Sequence, residues 1–283
     1  MLYSVTAVLT ATQILVLVNC LGSPPTNGHS IAGASSGLII NTTSGIVQGH
    51  RHQVPSGQAI RTWQGIPYAQ APVDKLRFQP PEKVTPWTDI KGTLRPPPAC
   101  PQPNGSPITG GNITNMDEDC LFLNIYSPEP SSAKLYPVMI WIHSGGFNTG
   151  SSMTVDPSRL TSDQQVIVVT LQYRLGALGF LYLGSEAGSA YHSNLGLRDQ
   201  VAGIEWVSQN IMAFGGDPTR VTLFGSEVTL MQLSSLNVCP LLIKTNFTCI
   251  VPGRRSVLRI PSTECACVQP DPGGHSAVWG TSK

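Results

Sequence analysis

The stretch Arg220 to Thr229, RVTLFGSEVT, sets a hydroxyl and a carboxylate directly after an apolar run that ends in glycine. Val221 to Phe224 reads as a buried strand and Gly225 as the first residue of a sharp turn. A strand that delivers a serine into a Gly-x-Ser-x-Gly turn can perform nucleophilic acyl transfer. The glycines let the next helix pack close while the hydroxyl stands up on a strained bend. Here the five positions hold Gly225, Ser226, Glu227, Val228 and Thr229, so Glu227 occupies the nucleophile position and a β-branched residue closes the turn. Acyl transfer to a carboxylate would need a base and a stabilised oxyanion, and neither is evident around Glu227. Two other serines mimic the pattern. Ser35, in Gly33 to Gly37, has no strand before it and no helix after it, and Ser276, beside His275, lies too near the carboxyl end for a packing helix to follow.

The elements that would position such a turn are legible upstream. Leu38 to Val47, with Thr43 to Gly45 as its turn, reads as a β-hairpin, and Ala59 to Trp63 as a third strand. Gln64 to Phe78 is too rich in proline for a helix and too apolar for a linker, so an ordered, packed loop is expected, with Arg77 in need of an acidic partner. Pro80 to Pro98 reads as proline-punctuated surface, and Asp117 to Tyr126 enters a strand. Tyr136 to Ile142 and Val166 to Tyr173 are continuous apolar runs of the kind covered on both faces. His143, Ser144, Gly145, Gly146 and Phe147 follow the first of them directly. After a glycine-rich turn, Asn194 to Met212 carries Leu197, Val201, Ile204, Trp206, Val207 and Ile211 at helical spacing, and Phe214 to Pro218 stops it. Strand, loop, strand, helix, strand is the rhythm of an α/β protein with a mostly parallel sheet.

With 41% hydrophobic and 12% charged residues among 283, the composition is globular and sufficient for one large domain. The formal net charge of +1 gives no electrostatic case for a nucleic-acid partner. Leu2 to Val18 is apolar and uncharged, shorter than the roughly 20 residues of a membrane span and of the length of a secretory signal core. Residues 1–22 are expected to be a signal peptide and 23–37 a flexible leader, with no further transmembrane segment. Asn41, Asn104, Asn112 and Asn246 each begin an Asn-x-Ser/Thr glycosylation acceptor. Two of these fall in the polar stretch between Cys100 and Cys120, which an oxidising compartment would let those cysteines close. A secreted, extracellular glycoprotein is the expectation.

Six stretches, GIPYAQAPVDKLRF, EDCLFLNIY, PVMIWIHSGGF, YRLGALGFL, NLGLRDQVAGIEWV and FGGDPTRVTLFG, occur in the order of the type B carboxylesterase family, and Leu38 to Gly225 resembles it throughout. That family includes the cholinesterases and non-catalytic adhesion relatives such as the neuroligins. The resemblance implies an α/β-hydrolase fold, a disulfide between Cys100 and Cys120, and buried ion pairs of Arg77 with Glu118 and of Arg174 with Asp199. His143 to Phe147 matches the family's HGGGF loop. The resemblance therefore makes Gly145 and Gly146 the backbone donors to an oxyanion, glycine being needed so that the main chain can approach the reacting oxygen. Ser144 departs from the pattern at the first glycine. Pro101 to Asp119 lacks the tryptophan that cholinesterases use to bind a cation, so a general ester is implied rather than a choline ester.

The motifs stop at Gly225, and 226–283 reads as an irregular tail outside the family, following a splice or frame boundary. The Val221 strand is then expected to present an unpaired edge. Cys265 and Cys267 are too tightly spaced and too alone for a zinc site, and no metal or cofactor is expected. The family's acid and histidine come after the turn, and here only His275 follows Gly225. The chain is read as a truncated family member without ester hydrolase activity. The alternatives are a fragment of an active serine carboxylesterase, which alone would take a small ester substrate, and a neuroligin-like cell-surface interaction protein.

Overall fold

The computed structural model describes residues 38–55, 57–103, 113–130, 134–184 and 192–225, and the backbone of two short strands beyond them. Ten strands form one sheet in the order β1-β2-β3-β5-β7-β6-β8-β9-β10, with β4 beside β2. They are β1 Leu38–Asn41, β2 Ile46–Gln53, β3 Ala59–Pro67, β4 Lys91–Gly92, β5 Phe122–Pro128, β6 Tyr136–Ile142, β7 Ile167–Leu171, β8 Gly216–Gly225, β9 Thr248–Ile250 and β10 Val257–Arg259. Helices α1 Ser158–Gln164, α2 Gly176–Phe180 and α3 Leu195–Asn210 connect the central strands.

The α/β reading holds, and the sheet is mixed. β1, β2, β3, β5 and β7 run as antiparallel neighbours. The β7-β6-β8 centre is parallel, as its crossover helices require. β7 is buried at all five positions, and Val138, Ile140 and Ile142 of β6 are fully buried, so this centre is covered on both faces. The core joins Ile66, Leu123, Ile140, Leu171, Ile204 and Phe214, with Trp63 meeting Phe214 edge-on at 4.9 Å between ring centroids.

Four elements differ from expectation. β3 runs on to Pro67, four residues into the expected loop, and its register shifts between Trp63 and Ile66. Gly65, at φ +78°, takes up that irregularity. The helix of 195–210 tightens into a 3₁₀ turn at Ile211–Phe214 and is ended by Gly215 alone, at φ +91°, whose N–H returns to the carbonyl of Met212. Gly216 onward already belongs to β8. Two helices, α1 and α2, stand where loops were expected.

The expectation of an unpaired edge on β8 is corrected. Thr222, Leu223 and Phe224 pair in parallel with Thr248, Cys249 and Ile250, and β9 pairs in turn with β10. The outer edge of β8 is thus partnered, and the tail contributes two strands. A row of unused N–H and C=O groups recruits an extended segment wherever one can reach it. Among the described residues no helix is long and apolar enough to cross a membrane.

Candidate functional site

β6, β7 and β8 end at one level. Ile142 pairs with Leu171 on one side and with Gly225 on the other. The loops that leave these three strands therefore start side by side at the carboxyl edge of the sheet, where open α/β sheets place their ligands. A side chain on Gly225 would meet the carbonyl oxygen of Ile142 at 2.5 Å, so glycine is required where β8 closes on β6.

The loop after β6 is held in shape by its own backbone. Gly145 adopts φ +125°, and its carbonyl accepts from the N–H groups of Asn148 and Thr149, both at 3.1 Å. Gly146 follows at φ +58° and Phe147 at φ +63°. Three successive residues at positive φ fold the chain back on itself, and Gly146 is left exposed at the tip. Among the described residues, the N–H groups of Gly145 and Gly146 donate to no acceptor. Ser144, in contrast, is absent from the positive-φ residues, so the departure from the glycine pattern there costs no backbone strain.

Buried and half-buried side chains clamp this loop from beneath. The Gln102 carboxamide donates to the Gly150 carbonyl at 2.7 Å and accepts from the Gly150 N–H at 2.8 Å. The Gln172 amide oxygen accepts from the Ser152 N–H, while its nitrogen donates to the Pro98 carbonyl and to Ser151 Oγ. Asn124 donates to Ser152 Oγ and Thr170 Oγ1. The His143 ring is fully buried and stacked on Tyr173 at 4.3 Å, and the Tyr173 hydroxyl donates to the His143 carbonyl at 2.8 Å. Burial pulls the His143 imidazole down to about 4, so at neutral pH it is an uncharged packing group. Gln102, Asn124 and Gln172 gave no signal in the sequence, because an amide that pairs with a distant main chain follows no local period.

Cys100 and Cys120 are joined in a disulfide. Arg174 and Asp199 form a bidentate pair, Nη2 to Oδ1 at 2.7 Å and Nε to Oδ2 at 2.8 Å, with both side chains buried. Burial pushes the Asp199 carboxyl up, and the hydrogen bonds from Arg174 oppose it. The pair ties the loop after β7 to the first turns of α3. The loop after β6 is tied in by the Gly176 N–H, which donates to the Phe147 carbonyl at 2.7 Å. Arg77 and Glu118 also pair, at 2.6 Å, but at the surface, with 42% and 29% of their side chains exposed. The expectation of a buried pair is corrected here: the 3₁₀ turn Asp74–Leu76 that precedes Arg77 has no buried residue, and among the described residues the pair stays at the surface. Ser226, Glu227, Val228, Ser35, His275, Ser276, Cys265 and Cys267 lie outside the described residues, as do Asn104, Asn112 and Asn246.

The sequence profile of the Carboxylesterase family matches residues 36–236. The chain belongs to the carboxylesterase family. The matched span continues past Gly225, where the recognisable motifs stop. This carboxylesterase-family chain is 42% identical over 205 residues to the para-nitrobenzyl esterase of Bacillus subtilis (strain 168), covering 71% of this chain and 40% of that protein. It is 41% identical over 222 residues to pyrethroid hydrolase Ces2e of Rattus norvegicus, with 73% and 38% covered. Among solved structures it resembles a thermophylic PNB esterase with a TM-score of 0.64 at 41% identity, covering 70% of this chain and 40% of that one. The chain thus spans about two fifths of the length of the relatives it matches.

Proposed function

We propose that this member of the carboxylesterase family presents the family's cradle for an ester's carbonyl oxygen and does not itself hydrolyse carboxylic esters. The observation that carries the reading is the pairing of Gly225 with Ile142, which ends β8 level with the start of the loop that holds Gly145 and Gly146. Glu227 comes two residues later, and chain connectivity alone keeps its Cα within about 7.6 Å of that of Gly225. Gly145 and Gly146 are the proposed donors to the oxyanion. A carboxylate in place of the serine opposes them. A carboxylate charge repels a developing oxyanion, where a serine hydroxyl does not. One oxyanion donor supplies about 2.7–4 kcal/mol, and without a competent nucleophile at position 227 that contribution accelerates no acyl transfer.

An ester is the ligand class the relatives' names support, since they are an esterase and a pyrethroid hydrolase. The test is turnover of a p-nitrophenyl ester by the purified full chain, together with labelling by a fluorophosphonate. No turnover above buffer and no covalent label are expected. A serine carrying the label would overturn the reading.

The chain is also proposed to be secreted. The uncharged apolar stretch Leu2 to Val18 supports this, as does the Cys100–Cys120 disulfide, a bond that persists in oxidising compartments. Expression of the full chain in cultured animal cells should place it in the medium. Retention in the cytosol with both thiols free would refute secretion.

A further inference from the structure

Of the four glycosylation acceptors, Asn41 is the one that falls among the described residues, and its setting is specific. It ends β1, the outermost strand on its side of the sheet. β1 alternates, with Leu38 and Ile40 packed on the core and Ile39 and Asn41 exposed on the outer face. Ile39 is 56% exposed. An edge strand that offers unused backbone groups and an exposed isoleucine is a template for pairing with another chain. β1 is short, which limits that hazard, but no charged side chain guards it.

We propose that Asn41 carries an N-linked oligosaccharide and that this sugar covers the free edge of β1. The Asn41 carboxamide makes no hydrogen bond with the described residues, so a sugar on Nδ2 displaces no contact. The acceptor hangs on a rigid turn. The Thr42 hydroxyl donates to the Gly45 carbonyl at 2.6 Å, and the Thr42 N–H donates to the same oxygen at 2.9 Å. Thr43, the third residue of the acceptor, is exposed and anchored from below by the buried Asn210. Its N–H donates to Asn210 Oδ1 at 2.7 Å, and its Oγ1 accepts from Asn210 Nδ2 at 3.0 Å. The first sugar therefore leaves the protein from a fixed point at the end of the strand. Residues two apart on a strand are about 6.8 Å apart and share a face, which brings the first rings of the oligosaccharide over Ile39. In the transfer, Asn41 Nδ2 forms a bond to the anomeric carbon of a lipid-linked diphospho-oligosaccharide. The bond from that carbon to the diphosphate breaks, the lipid diphosphate departs, and the amide proton is lost to base.

The proposal rests on the secretion reading, and the experiment separates the two. The full chain, N41Q and T43S are expressed in cultured animal cells, and medium and lysate are compared by gel mobility before and after treatment with an N-glycosidase. Secreted N41Q is expected to run one discrete step faster than wild type before treatment and level with it afterwards, while T43S, which keeps the acceptor, matches wild type throughout. Wild-type chain in the medium that N41Q does not accelerate overturns the sugar at Asn41 and leaves secretion standing. A chain confined to the cytosol without sugar overturns both. Covering of the edge is read by sedimentation. N41Q is expected to shift toward larger species, and I39T/N41Q to return to the wild-type profile. An N41Q chain that loses its sugar and sediments as wild type would overturn the covering role.

Discussion

Replacing Gly145 by alanine should damage the protein far more than the same change at Gly146, although the two are neighbours in one loop. A Cβ on Gly145 would lie 2.0 Å from the Thr149 carbonyl oxygen and 2.6 Å from its carbon. Both are backbone atoms, and the Thr149 N–H is itself bonded to the Gly145 carbonyl at 3.1 Å, while Gln102 clamps Gly150 next door. Neither side can yield without opening that ring. The backbone at φ +125° adds about 1–3 kcal/mol of strain for any residue with a side chain, and the overlap about 1–3 kcal/mol more. The expected loss is therefore about 2–6 kcal/mol. At Gly146 a Cβ meets nothing within 4 Å, and only the left-handed backbone at φ +58° is penalised, by about 1–2 kcal/mol. For a domain of this size each kcal/mol moves the melting temperature by about 2–4 °C. Thermal unfolding followed by circular dichroism on wild type, G145A and G146A should thus place G145A lowest by a clear margin. Equal shifts for the two variants would refute the argument that the loop's shape is enforced at Gly145.

Asp199→Asn should cost about 3–5 kcal/mol in a denaturant titration, because it leaves the buried Arg174 guanidinium uncompensated, whereas R174M/D199L should recover most of that loss. A double variant that is no better than the single would show that the pair supplies more than charge balance. Cys100→Ser with Cys120→Ser opens a link between residues 20 apart and should lower stability by about 3 kcal/mol, read from the urea midpoint. Finally, His143 makes stability depend on pH. Its imidazole is held at about 4 in the fold against an ordinary 6.5, so the unfolded chain takes up a proton that the folded chain refuses. Stability that is full above pH 6.5 is lost as pH falls toward 4, by about 3 kcal/mol in all. H143Q should flatten the difference between pH 7 and pH 4.5 melting curves, and an unchanged slope would count against the buried imidazole.

What could be read from the residues was whatever left a local pattern. Tyr136 to Ile142 and Ile167 to Leu171 were legible as central strands because both faces are covered and the apolar run is unbroken. Helix α1 was not, since it buries Ser158, Thr161 and Ser162 beside a single leucine and so has no apolar stripe to detect. The motif named the right partner for Arg77 but the wrong depth, because depth depends on what packs above it. The same division explains the glycine loop. Its sequence departs from the family at Ser144, where the backbone accepts a side chain, and has glycine at Gly145 and Gly150, where a Cβ would strike Thr149 and His143.

Among the described residues, groups from before Leu181 hold the loop: the Gln102 amide on Gly150, Tyr173 on the His143 carbonyl, and the Gly176 N–H on Phe147. None of these contacts passes through the turn after Gly225. These contacts hold Gly145 and Gly146, the proposed donors, without drawing on the residue at position 227. G145A should therefore lower stability by the same amount in this chain as in an E227S background, and a different loss in thermal unfolding would show that the residue at position 227 also holds the loop.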